Sequence, residues 1–174
     1  MPLAVTHVLL TIILVGLYRD YVTKHKRYFT LHTLFIAGVA GLLPDIDIPL
    51  RMLANWLGFN IPTLLQHGGI THTAIFGLIF LLPAFMLYRK GKHKESMYFF
   101  VITFGILFHL FLDWFIGGGS DYGVMWFWPI STAAYKLHLL LKLGIEDLPI
   151  AVDAILLLGW LYYIELKHKI SDFV

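Results

Sequence analysis

Cysteine is missing altogether from the 174 residues. Its absence removes both a disulfide framework and a thiolate metal site, and leaves the redox compartment open. Charge is scarce as well: Asp, Glu, Lys and Arg make up 14% of the chain, against about 25% in a soluble domain. The net charge of +2 is too small to recommend nucleic acid as a partner. Residues 1–7 carry neither a basic n-region nor a small-residue cleavage signal, so the first apolar run is expected to be a retained span. What fills the space left by charge is hydrocarbon. Hydrophobic residues reach 59% and the mean hydropathy is +0.76, a balance that a monomer in water does not hold. The length allows a single membrane-embedded domain, 1–174, of five or six helices at roughly 20 residues per span.

Five apolar runs follow one another, at about 3–18, 28–43, 70–88, 97–116 and 148–166. The first two are short for a span, which tilting or burial among the others accommodates. Arg19, Lys24, Lys26 and Arg27 fall in one connection, Arg89, Lys90, Lys92 and Lys94 in another, and Lys167 and Lys169 in the tail. Only Arg51, Lys136 and Lys142 fall on the other side of a five-span arrangement. The expected fold is therefore all-α, a bundle of about five transmembrane helices with short interfacial helices. The positive-inside rule orients it with the N-terminus outside and the C-terminus in the cytoplasm.

That topology brings the rare ionisable residues to one layer. His7 opens the first run, Asp45 and Asp47 close the second, His67 and His72 open the third, His109 and Asp113 end the fourth, and Asp153 begins the fifth. Ionisable groups at a helix centre cost about 2.5–3.5 kcal/mol each on insertion scales, so a cluster of them asks for a reason. His109 and Asp113, spaced i and i+4, present a nitrogen and a carboxylate on one helix face; a buried ion pair between helices explains them less well. Asp45 and Asp47, read as an extended stretch, point the same way at period two, although Pro44 before them also suits a solvated turn. His72, with Thr71 as helix cap, is kept neutral by a helix N-terminus and ready to bind metal. Thr6-His7 repeats that pairing. His25, His93 and His168 sit in basic clusters, His32 lies at the far end of its run, and His138 belongs to the polar edge of an interfacial helix. Trp56, Trp114, Trp126 and Trp128 form an aromatic belt at the outer boundary.

Thr6-His7, Pro44-Asp45-Ile46-Asp47, the run from His67 to Thr73, the His109/Asp113 pair and the run from Tyr122 to Ser131, in this order, resemble the YdjM-like family of LexA-regulated, membrane-bound proteins described as metal-dependent hydrolases. The pattern is also similar to that of zinc-dependent phospholipase C. The resemblance covers about residues 1–132. It implies a hydrolase with metal ligands at His7, Asp45, Asp47, His67, His72, His109 and Asp113, and it implies no particular substrate. One departure stands out: where the family often has Arg after the first His of the third motif, this chain has Gly68.

Four histidines and three aspartates exceed the three protein ligands of one catalytic zinc, so one or two divalent ions are expected. Imidazole favours zinc, and the carboxylates leave manganese or iron open. Asp47 or Asp113, whichever is not a ligand, is the candidate base for activating water against a phosphoryl or acyl centre. The layer's depth at the outer interface points to membrane lipids as surroundings and to a lipid or lipid-linked phosphate or ester as substrate. Two alternatives remain: a cation or proton transporter, which places such residues near the midplane on interrupted helices, and a noncatalytic module in which metal only ties helix ends together.

Overall fold

A computed structural model of the chain describes residues 4–23, 28–60, 62, 65, 67–116, 123–137, 139–144 and 151–168. Lys24, His25, Lys26, Arg27, Tyr122, His138, Lys169 and the glycine-rich 117–120 stretch lie outside them. Among the described residues the regular structure is helical, with two isolated bridges, Thr73 to Met125 and Val124 to Tyr135, and no strand. Helix α1 (Ala4–Leu17) runs on through a π-helical stretch, Tyr18–Thr23; α2 spans Leu31–Ala40 and α3 Asp47–Trp56. After them come α4 (Ala74–Leu78), α5 (Leu81–Arg89), the long α6 (His93–Phe115), the single turn α7 (Leu139–Lys142) and α8 (Ala151–His168).

Apolar runs of this kind become helices in hydrocarbon because only a helix or a closed barrel satisfies its own backbone there. Their outward faces stay greasy. Phe35, Leu82 and Tyr162 are about two-thirds exposed, and Met86 and Leu158 nearly so, the surface a membrane covers and water does not. The chain is a membrane protein, but the five runs do not yield five straight spans. Among the described residues two helices are long and apolar enough to cross alone, Ala4–Thr23 and His93–Phe115. Leu31–Ala40 together with Leu43–Trp56 makes a third only if a 56° bend is allowed. The second run is cut to ten residues because Gly41 caps α2 and Pro44 then sits in the first turn of a 3-10 helix, Leu43–Ile46, where its fixed φ fits and its missing N–H costs nothing. The third run is broken between Leu78 and Leu81 into α4 and α5, leaving a shorter apolar helix. Helix α8 carries Asp153, Glu165 and Lys167 within its 18 residues.

The bundle is closest where α2 meets α6. A Cβ on Gly105 would come 2.5 Å from the Cβ of Ala40 and 3.1 Å from the backbone nitrogen of Gly41, so nothing larger than the Ala40 methyl stands between the two backbones. Small residues permit such an approach and let dispersion contacts replace the hydrophobic drive that lipid removes. Toward the other end Val15, Phe29, Leu34, Ala37 and Val101 form an apolar core flanked by Tyr28, Ile36 and Met97. Helix α8 packs on α1, with Trp160 lying over Gly16. This arrangement sets the starts of α1, α4 and α8 beside the ends of α2 and α6.

Candidate metal centre

Each element delivers its polar residue to that common end. His7 lies one turn into α1; Asp45 is in the 3-10 turn after α2; Asp47 opens α3; His67 precedes and His72 closes the 3-10 turn Ile70–His72 before α4; His109 and Asp113 lie in the last two turns of α6. Asp45 and Asp47 are thus helical rather than extended, because Pro44 starts a turn instead of a strand. Thr73, not Thr71, caps α4 by accepting from the Phe76 N–H at 3.3 Å, so His72 precedes the helix and Thr71 is free for another task.

That task is a relay centred on Asp47, which is 3% exposed. One carboxylate oxygen of Asp47 accepts from His67 Nδ1 at 3.0 Å, and the other accepts from the Thr71 hydroxyl at 3.0 Å. With its proton committed to Asp47, the Thr71 oxygen accepts from His72 Nδ1 at 3.1 Å. On α6, His109 Nδ1 donates to the Gly41 carbonyl at 2.8 Å, a bond that the close α2–α6 approach makes reachable. These bonds suit the tautomer with the proton on Nδ1, which leaves the Nε2 lone pair of each imidazole to face the cluster. Such outer partners fix the tautomer and aim of metal-binding histidines. The bond to Asp47 is also the main reason that the His67 pKa is raised above its ordinary value, with burial opposing it.

The inner atoms converge. His109 Nε2 is 3.2 Å and His72 Nε2 3.6 Å from one oxygen of Asp113, and His7 Nε2 is 3.3 Å from the other. Asp45 Oδ1 lies 3.7 Å from both His72 Nε2 and His109 Nε2. The His7 ring stacks on His109 with centroids 3.9 Å apart. Three sets have ligand atoms within 4.8 Å of one another: His7, Asp45 and His109; Asp45, His67 and His72; His72, His109 and Asp113. Tetrahedral coordination with bonds of about 2.0–2.2 Å puts ligand atoms roughly 3.3–3.6 Å apart, and the measured separations straddle that range.

Both nitrogens of His7, Nε2 of His72 and His109, and both oxygens of Asp113 are buried without a hydrogen-bond partner among the described residues. An unsatisfied buried polar atom costs about 1–3 kcal/mol, so six of them together rival the whole stability of a small protein. A divalent cation satisfies such a set at once, and imidazole with carboxylate is a donor set that zinc, manganese or iron accepts. The residues present fit a metal ion.

Six of the seven residues singled out in the sequence belong to these sets, and Asp47 stands behind them. Asp153 contributes differently: it accepts from Thr6 at 2.5 Å across the α1–α8 contact and so steadies the turn that carries His7. Thr6 therefore does not repeat the role of Thr71. Gly68 has φ +81°, a left-handed conformation that suits glycine and would strain an arginine at that position. The segment following α6 is strapped down: Met125 N donates to the His72 carbonyl at 3.3 Å, Leu137 N to that of Trp114 at 2.8 Å, and Val124 and Tyr135 exchange both backbone bonds at 3.0 Å.

Fold and site together define an all-helical membrane protein with a buried His/Asp cluster at one end of its bundle. Within that class the model of the YdjM inner membrane protein family matches residues 1–167, and the chain belongs to that family. The match extends past the motifs to include α8 and its Asp153. No curated protein and no solved structure matches the chain significantly.

Proposed function

We propose that this protein is a metal-dependent hydrolase acting at the outer membrane interface on a lipid or lipid-linked phosphate or ester, with zinc as the favoured ion. The observation that carries the reading is the convergence of His72, His109 and His7 nitrogens on the two unsatisfied oxygens of Asp113 at coordination spacing. Overlap of the three ligand sets through Asp45, His72 and His109 favours two ions over one. Such an ion, when bound, would polarise a phosphoryl or carbonyl oxygen and would make water a usable nucleophile at neutral pH.

The chain's own residues do the rest. Asp47 has both oxygens engaged, so it orients His67 and His72 rather than serving as base. Asp113 can serve as ligand and base through different atoms: the oxygen that faces His72 and His109 would hold the ion, and the other, 3.3 Å from His7 Nε2, would take the proton from water and return it to the leaving group. The buried walls of α1, α2 and α6 keep bulk water away from these transfers.

The orientation also belongs to this proposal. Five crossings, by α1, α2, the α4–α5 pair, α6 and α8, keep Arg19, Arg89, Lys90, Lys92, Lys94 and Lys167 on the cytoplasmic side and the cluster outside. One observation favours a second reading, cation transport: Asp45 sits at a break in a helix, where transporters place ion sites. Purified protein loaded with zinc in vesicles separates the two. Cleavage of a phospholipid or lipid-linked phosphate that stops on chelation and in Asp113→Asn supports the hydrolase. No turnover across a broad lipid screen, with metal-dependent ion flux, supports the transporter.

A further inference from the structure

Beside the cluster lies an apolar cavity of about 340 Å³ lined by Ala4 of α1, Val39 of α2, Leu42, Leu43, Asp45 and Ile46 of the bend, and Ile48 and Pro49 of α3. Seven of these eight residues offer only hydrocarbon and backbone, and the eighth is the carboxylate whose Oδ1 faces His72 and His109 at 3.7 Å. A polar solute placed there would give up its hydrogen bonds to water and find one partner. An alkyl chain loses nothing. The rim is itself greasy, with Val39, Leu42, Ile46 and Ile48 each between 40% and 47% exposed, a surface suited to hydrocarbon rather than to water. Its volume falls in the range of small-ligand sites, which are mostly apolar with a few placed polar groups.

We propose that this cavity at the α2–α3 bend receives an acyl chain of a membrane phospholipid, entering sideways from the bilayer, so that the lipid's headgroup linkage comes to rest at Asp45 and the His/Asp cluster. The inference rests on the hydrolase reading for the meaning of the headgroup's position, and it adds where the tail goes and how the substrate arrives. The break in the helix then has a use. Gly41 and Pro44 lie in the 56° bend between the two helices, and the space lined by its two arms is what the tail occupies. Val39 from α2 and Ile48 from α3 both line the cavity, and their bulk sets how much of the chain is admitted.

The test uses the full-length protein in nanodiscs of phosphatidylethanolamine and phosphatidylglycerol containing a trace of phospholipid with a diazirine on the acyl chain. Illumination and peptide mapping should place most cross-links on the lining residues, Val39, Leu42 and Ile48 above all. Val39→Trp, which fills the cavity from α2, should cut cross-linking there roughly tenfold, as expected when a contact worth about 1.4 kcal/mol is lost. Ile48→Trp fills it from α3 and decides the matter if Val39→Trp does not fold, while Leu53→Trp, exposed elsewhere on α3, should change nothing. Zinc content of the same samples separates this proposal from the reading beneath it. Normal zinc with cross-links spread evenly over the lipid-facing helices, or unaltered in the filled variants, overturns the cavity alone. Cavity cross-linking without zinc keeps the tail site and removes the metal centre.

Discussion

At the residue scale the account turns on Asp47, the group that sets two histidines without facing the cluster. If it aims His67 and His72 through Nδ1, Asp47→Asn should weaken zinc binding by about 10–100-fold, the usual cost of losing an outer partner, while the helical circular dichroism stays unchanged. An unaltered zinc affinity in that variant would mean that the relay is only structural. The same pair gives a pH dependence with two opposite signs. The His67 pKa is raised by its bond to Asp47, so the pair's contribution to stability of the metal-free protein is full below about pH 6.5, and it fades as pH rises through the higher folded value. Zinc needs that imidazole without its second proton, so affinity should climb over the same interval. Titrations of melting temperature without zinc and of zinc affinity, run in parallel, should slope in opposite directions. Parallel slopes would contradict the assignment. The seven residues themselves were legible in the sequence, since His and Asp stand out in runs that otherwise avoid polarity. Their division of labour was not. Period two made Asp47 the equal of Asp45, and only the helical turn begun by Pro44 shows the two carboxylates taking different partners. The Gly41 carbonyl leaves no trace in a side-chain pattern, although Ala37 and Gly41, four apart, carry the small-residue signature of close helix packing.

At the scale of the elements, the α2–α6 approach is what brings His109 to the Gly41 carbonyl. Gly105→Val would drive a branched side chain into Ala40 and push the helices apart, at a cost of about 1–3 kcal/mol in overpacking. It should also lower bound zinc although every ligand remains. Elemental analysis after purification checks this, with Gly159→Ala, on the exposed face of α8 with open space around it, as the comparison; full zinc in Gly105→Val would uncouple helix spacing from the site. The elements were only partly readable in advance. Long, unbroken α6 and α1 appeared where the apolar runs lay, because length and hydropathy decide a crossing helix. The breaks at Gly41–Leu42 and Ile79–Phe80 did not, since one glycine or proline in a membrane helix is tolerated as often as it interrupts. Thr6 with Asp153 illustrates the same limit: a bond between residues 147 positions apart depends on which helices are neighbours.

For the whole molecule, the alternation of helix directions gathers the cluster at one end and most basic residues at the other. Single cysteines at Lys92 and Ala133 in this cysteine-free chain should therefore react with an impermeant thiol reagent from opposite sides of the membrane, Lys92 only after the cytoplasmic face is opened. Reaction of both from one side would overturn the proposed orientation. The central claim, that the buried imidazoles and carboxylates hold a metal, is tested most directly by counting ions. Protein purified without chelator should carry one to two zinc ions per chain, bound through nitrogen and oxygen alone in its X-ray absorption spectrum. His109→Ala and Asp113→Ala should lose most of that zinc, and His93→Ala, at the far end of α6, should keep it all. Zinc-free wild-type protein that also takes up no added zinc, manganese or iron, or full occupancy in both site variants, would contradict the account.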